Sequence, residues 1–218
     1  MLTVTDTVQD LETVLGDTRI SSLCLGPGLG VGKETRALVK AALTDGRPVV
    51  LDADALTAFS DAPEALFNLL HPDVCLTPHF GEFARLFPDL AQRMNHEDPD
   101  LCLDKLSAVK EAAATAGCTI LLKGADTVIA SHDRKTALHG AVYDRAVPDL
   151  ATAGAGDVLA GFITGLMARG FSPYDAAKAA SWLHVDCART FGPGLIAEDL
   201  PEILPDVLKA LKGRHAEV

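Results

Sequence analysis

Short apolar runs alternating with longer stretches of helical period constrain this chain more than any other feature. Leu23-Cys24-Leu25, Val49-Val50-Leu51, Val74-Cys75-Leu76 and Thr119-Ile120-Leu121-Leu122 are too short for helices, and each runs into a loop rich in Gly, Asp or Pro. Between them the pattern predicts helices over 33–45, 63–71, 80–87 and 104–117, the last stopping on Gly117. This alternation predicts βα units on a largely parallel sheet. A hairpin is expected next, because Thr127-Val128-Ile129-Ala130 and Thr136-Ala137-Leu138-His139 flank the polar turn from Ser131 to Lys135. From Asp157 onward the chain reads as helices, with Ser172 as an N-cap, Pro173 and Asp175 at the first and third helical positions, and a last helix over 198–212. The polar stretch Gln92 to Asp100 predicts an exposed loop. The 218 residues fit one α/β domain over 1–218.

Charge narrows the partners. With 30 acidic and 19 basic residues the net charge is −11, which repels nucleic acid and anionic membranes. An anionic ligand must therefore be held locally, by backbone N–H groups and a few placed cations. The five cysteines are widely spaced, without a C-x-x-C pair, so neither a zinc site nor a disulfide framework is expected. The start, from Met1 to Asp6, lacks the basic and apolar regions of a signal peptide, and no stretch is apolar enough to span a bilayer. A cytoplasmic protein with no membrane association is the expectation.

Chemistry concentrates at the loops that follow the runs. In Gly154-Ala155-Gly156-Asp157 small residues allow a ligand close to backbone just where an apolar helix begins, and helix N-termini bind anions. Asp157 then stands in the first turn, placed to take a proton from a hydroxyl that attacks phosphorus. A capped helix start uses the same residues, so the turn alone leaves both readings open. Gly26-Pro27-Gly28-Leu29-Gly30 follows the first run, Asp52-Ala53-Asp54 the second, Thr77-Pro78-His79-Phe80-Gly81-Glu82 the third and Lys123-Gly124-Ala125-Asp126-Thr127 the fourth. Lys123 reads either as a phosphate cation or as a solvated lysine. Asp54 is either a helix cap or, with Asp52, a carboxylate pair that orients a hydroxyl or holds Mg²⁺ through water. What favours ligand chemistry is that all these loops belong at one edge of a parallel sheet.

As a set these motifs, together with Gly194-Leu195-Ile196-Ala197, resemble the NAD(P)H-hydrate dehydratases of the ribokinase-like superfamily. The resemblance implies a three-layer α/β/α sandwich with a mostly parallel sheet and a β-hairpin edge. It implies ADP- or ATP-dependent dehydration of the S epimer of NADH or NADPH hydrate, with Mg²⁺ alongside the nucleotide and no metal held directly by protein. Asp157 would be the base, Gly28, His79 and Asp157 would contact the hydrate, and Lys123, Gly124, Ala125, Asp126, Thr127, Gly154, Ala155 and Gly156 would bind the nucleotide. Homotetramers are common in the family.

Vitamin kinases of the superfamily usually read T-P-N at the third loop, where this chain has His79. A small-molecule kinase, or an inactive binding protein, is the alternative. Peripheral departures are Thr57, where the family has Asn, and Phe80, where it commonly has Pro. Only 25 residues precede Gly26, fewer than is usual, so the chain is expected to lack the family's N-terminal segment and to leave a sheet edge open to pairing.

Overall fold

The computed structural model describes residues 4–216; Met1–Thr3 and the last two residues of the expected 1–218 domain lie outside the described part. The elements run α1 (Val8–Leu15), β1 (Leu23–Leu25), α2 (Lys33–Asp45), β2 (Val49–Leu51), α3 (Asp54–Thr57), α4 (Pro63–Phe67), β3 (Val74–Leu76), α5 (Phe80–Leu86) and α6 (Pro88–Met94). They continue with α7 (Lys105–Ala116), β4 (Thr119–Leu122), β5 (Asp126–Ala130), β6 (Thr136–Gly140), two 3-10 turns (Tyr143–Arg145 and Pro148–Ala151), α8 (Ala155–Met167), α9 (Pro173–Phe191) and α10 (Asp199–Ala216). The strands form one six-stranded sheet in chain order. β1 to β4 are parallel, and β5 and β6 add antiparallel partners as the expected hairpin edge.

Two-sided burial explains why the central strands β2 to β4 are so apolar. Leu51, Leu76, Ile120 and Leu122 face a core built with α2 to α5 and α7, whereas Val50, Cys75, Leu121 and Ile129 face α8 and α9. Alternate residues point to opposite faces, so both need apolar side chains, and the result is the expected three-layer sandwich. On the first face α1 packs Leu11 and Leu15 against α2 and against Leu23 and Leu25 of the edge strand β1.

Several boundaries differ from expectation, for identifiable reasons. Residues 92–94 belong to α6 rather than to a loop: Pro88 opens that helix, Leu90, Ala91 and Met94 pack on the core, and Arg93 turns outward to pair with Glu111 of α7 at 2.6 Å. The helix expected over 63–71 ends at Phe67. The last helix extends to Ala216. α8 begins at Ala155, two residues earlier than Asp157. α1 was unanticipated, although Thr7 and Asp10 form a complete capping box at its start. The Ser172 cap is present, with its hydroxyl accepting from Asp175 N–H at 3.2 Å.

Candidate active site

The carboxyl ends of β1 to β4 and the N-terminus of α8 converge at one edge of the sheet. Here β1 and β2 meet backbone to backbone. Gly26 has φ +133°, and a Cβ built on it would lie 1.6 Å from the Asp52 carbonyl oxygen, so only glycine fits. Between the two acids Ala53 is held at φ 48°, ψ −120°, a conformation that costs a non-glycine residue about 1–3 kcal/mol. The two carboxylates go to different partners. Asp54 accepts from Gly30 N–H at 2.8 Å and so fixes the Gly26–Gly30 loop. Asp52 is fully buried, and its Oδ1 lies 2.7 Å from Lys123 Nζ at the end of β4.

This ion pair, buried at Asp52 and partly exposed at Lys123, sits beneath the first turn of α8. A Cβ built on Gly156 would be 3.3 Å from Lys123 Nζ and 4.0 Å from Asp52 Oδ2, and that second carboxylate oxygen is buried without a hydrogen-bond partner. Gly154 precedes the helix at φ +84°, and no side chain caps the helix start. Ala155 N–H donates to the Thr152 carbonyl at 3.4 Å, so the Gly156 and Asp157 N–H groups are the ones left for an anionic ligand, next to the Lys123 ammonium. Asp157 is exposed in that turn. Partial desolvation raises its pKa above the ordinary aspartate value, the Asp52 charge raises it further, and Lys123 opposes both.

The loop after β4 is self-bonded. Thr127 Oγ1 donates to the Gly124 carbonyl at 3.0 Å, and Lys105 of α7 ties down Asp126 at 2.9 Å. The Asp126 carboxylate is thus already engaged by Lys105, whose hydrogen bond holds its pKa down. Lys123, Gly124, Ala125, Thr127, Ala155 and Gly156 line a common cavity of about 590 Å³ that extends under the 3-10 turns to α9. Asp126, Gly154, Gly28, His79 and Asp157 are not in its wall. Gly28 is at the exposed tip of the first loop, with φ +70°.

His79 caps α5. Its Nδ1 accepts from Gly81 and Glu82 N–H at 3.0 and 3.3 Å, while Glu82 Oε2 accepts from His79 N–H at 2.9 Å. More than half of the ring stays solvent-accessible, so capping leaves a face open. Glu82 is buried in this capping box. Among the described residues no three His, Cys, Asp or Glu side chains converge to hold a metal ion.

Sequence reasoning missed His184. This residue of α9 lies in the cavity wall with Nε2 2.8 Å from the Ala155 carbonyl. Its spacing on a helical, mostly buried segment carries no signal that could have shown this contact.

Comparison with known proteins agrees with the geometry. A family model described as NAD(P)H-hydrate dehydratase matches residues 2–206. An ADP-dependent (S)-NAD(P)H-hydrate dehydratase from Neisseria meningitidis serogroup B is 38% identical over 169 residues, covering 76% of this chain and 53% of that protein. The solved ADP/ATP-dependent NAD(P)H-hydrate dehydratase from Bacillus subtilis, co-crystallised with ATP/Mg²⁺, superposes with a TM-score of 0.69 at 31% identity, covering 87% of this chain and 64% of that one. A ribokinase-like superfamily protein from Enterococcus faecalis, at 24% identity and TM-score 0.71, covers 93% of this chain and 68% of its own and shows the fold. The chain spans about half the length, or less, of the curated relatives it matches.

Proposed function

The chain belongs to the NAD(P)H-hydrate dehydratase family, and from that premise we propose that it catalyses the ADP- or ATP-dependent dehydration of the S epimer of NADH or NADPH hydrate, restoring the reduced cofactor. The observation that carries this reading is the uncapped start of α8, which sets Asp157 beside free N–H groups and Lys123.

A hydroxyl is a poor leaving group, and phosphorylation improves it. Asp157 takes the proton from the hydrate hydroxyl as that oxygen attacks the terminal phosphorus of the nucleotide, and the bond to the bridging oxygen breaks. The raised pKa makes Asp157 a stronger base than an ordinary aspartate. Lys123 and the N–H groups of Gly156 and Asp157 stabilise the charge on the transferring group, in a setting already built and needing no reorganisation. Asp52 keeps Lys123 in place from below. Phosphate then leaves as the ring nitrogen pushes electrons in and a proton departs from the neighbouring carbon.

The nucleotide would lie in the 590 Å³ cavity, contacted by Lys123, Gly124, Ala125, Thr127, Ala155 and Gly156. Asp126 would hold the loop's shape through Lys105, and Gly154 would give the chain its entry into the helix. The hydrate would approach from the side of Gly28, Asp157 and the exposed face of His79. Mg²⁺ would fit as a companion of the phosphates that neutralises their charge, and the unpartnered Asp52 Oδ2, 4.0 Å from a Cβ built on Gly156, would be an acceptor able to orient its water shell. A cytoplasmic homo-oligomer with a single dehydratase domain completes the proposal.

A product assay tests it. With S-epimer NADH hydrate and ADP or ATP, near-ultraviolet absorbance of NADH should appear together with inorganic phosphate. A stable phosphorylated product without NADH would instead mark a small-molecule kinase. Absence of both nucleotide and hydrate binding in a folded sample would mark an inactive binding protein.

A further inference from the structure

α8 begins without a side-chain cap, and the absence leaves the Gly156 and Asp157 N–H groups available. It also leaves the first turn without the local restraint that a cap supplies. On the Ala155 side that restraint comes from α9. His184 is almost fully buried, and its Nε2 lies 2.8 Å from the Ala155 carbonyl oxygen. A carbonyl oxygen only accepts, so Nε2 carries the proton. The same ring meets Phe162, two turns further along α8, edge-on at a centroid distance of 6.2 Å. His184 thus grips α8 at both ends of its first two turns, and its ring forms part of the cavity wall beside Gly156 and Lys123.

We propose that His184 is a positioning residue for phosphoryl transfer: its Nε2–H bond to the Ala155 carbonyl holds the uncapped first turn of α8, and with it Asp157, in line with Lys123. The contact suits the task chemically. Burial depresses the His184 pKa to about 4, so the ring stays neutral near pH 7 and adds no cation to compete with Lys123 for phosphate. The groups around the ring are the Ala155 carbonyl on α8, His139 on β6 and Lys123 after β4; the Lys123 charge opposes protonation of His184, and so does His139 whenever it is itself protonated. This inference rests on the dehydratase reading for its kinetic test but not for its spectroscopic one.

The test compares His184→Leu, which removes the donor, with His184→Gln, whose amide nitrogen can reach the place of Nε2. Misplacement of a catalytic group by about 1 Å costs on the order of 100-fold. His184→Leu should therefore lower kcat about 10- to 100-fold while KM for ADP changes less than about threefold, and His184→Gln should recover most of kcat. A folded His184→Leu protein with wild-type kcat, or equal losses in the Leu and Gln variants at equal thermal stability, would overturn the proposal. If the Leu variant does not fold, His184→Asn, too short to reach the carbonyl, replaces it under the same criteria. Independently, NMR of the nitrogen-labelled imidazole should show the Nε2–H tautomer unchanged from about pH 5 to 8. An Nδ1–H tautomer, or a titration midpoint near that of free histidine, would refute the clamp. Wild-type turnover is measured first: failure to form NADH would refute the dehydratase reading, and the imidazole signature would still decide the clamp.

Discussion

Two helices start at the same edge of the sheet and are finished in opposite ways. α5 is closed by its own residues, with the His79 ring accepting from the Gly81 and Glu82 N–H groups and the Glu82 carboxylate accepting from His79 N–H. α8 starts on a glycine in the left-handed region, and nothing in its own sequence caps it. Both starts carry an acid in the first turn, Glu82 and Asp157, yet Glu82 is buried in hydrogen bonds while Asp157 is exposed with a raised pKa. The difference teaches that an acid near a helix start is structural when it bonds back to the backbone and available for chemistry when it does not. The uncapped start needs support from elsewhere, and Lys123, Asp52 and His184 supply it.

The largest effect should come from Asp157→Asn. Loss of a general base lowers kcat by about 10²–10⁴, while calorimetric ADP affinity and thermal stability should stay close to wild type because the side chain is exposed. Turnover that survives this change would end the base assignment and, with it, the functional contrast between the two helices.

Asp52→Asn comes next, since removing one member of a buried pair costs about 3–5 kcal/mol in general. The solvent access that Lys123 retains points to the lower part of that range in chemical denaturation. The same variant should move the acid limb of kcat/KM to lower pH. Partial burial still raises the Asp157 pKa, but the lost Asp52 charge no longer adds to it while Lys123 continues to lower it, and a base is active only when deprotonated.

Giving α8 a self-supplied anion is the third test. In Gly154→Asp a carboxylate would compete with phosphate at the turn, and loss of one charge-assisted hydrogen bond, about 1.5–3 kcal/mol, should raise KM for the nucleotide at least about tenfold. An unchanged KM would show that the phosphate binds elsewhere.

The smallest effect is at α5. His79→Ala should cost about 1 kcal/mol of stability through the lost cap, and His79→Asn, which keeps a capping acceptor, should restore it. If KM for the hydrate stays raised in the Asn variant, the exposed face of the imidazole touches substrate. If it returns to wild type, His79 is a cap alone.

The four runs from Leu23 to Leu122 match β1 to β4 in extent, and β2 to β4 were legible because residues buried on both faces of a parallel sheet are mainly apolar. The loops were legible as chemistry because glycines and acids recur at strand ends. Their partners were not. Asp52 and Asp54 stand two apart in sequence and would look alike, but the strained Ala53 sends one to Lys123 and the other to Gly30. That division depends on contacts 71 and 24 residues away. α6 was hidden by the polar residues Gln92 and Arg93 on its outer side, and the His184–Ala155 contact by a separation of 29 residues between two helices. Local pattern reports burial and turn chemistry, whereas pairing across the fold is set by packing.

The central claim is that the hydroxyl of the hydrate is phosphorylated before it leaves, with Asp157 as base. A heavy-oxygen label placed in that hydroxyl follows the atom directly. After turnover with ADP, mass spectrometry should find the label in inorganic phosphate. Label recovered in water instead would mean that the hydroxyl departs without attacking phosphorus, and would contradict the role given to Asp157 and the uncapped start of α8.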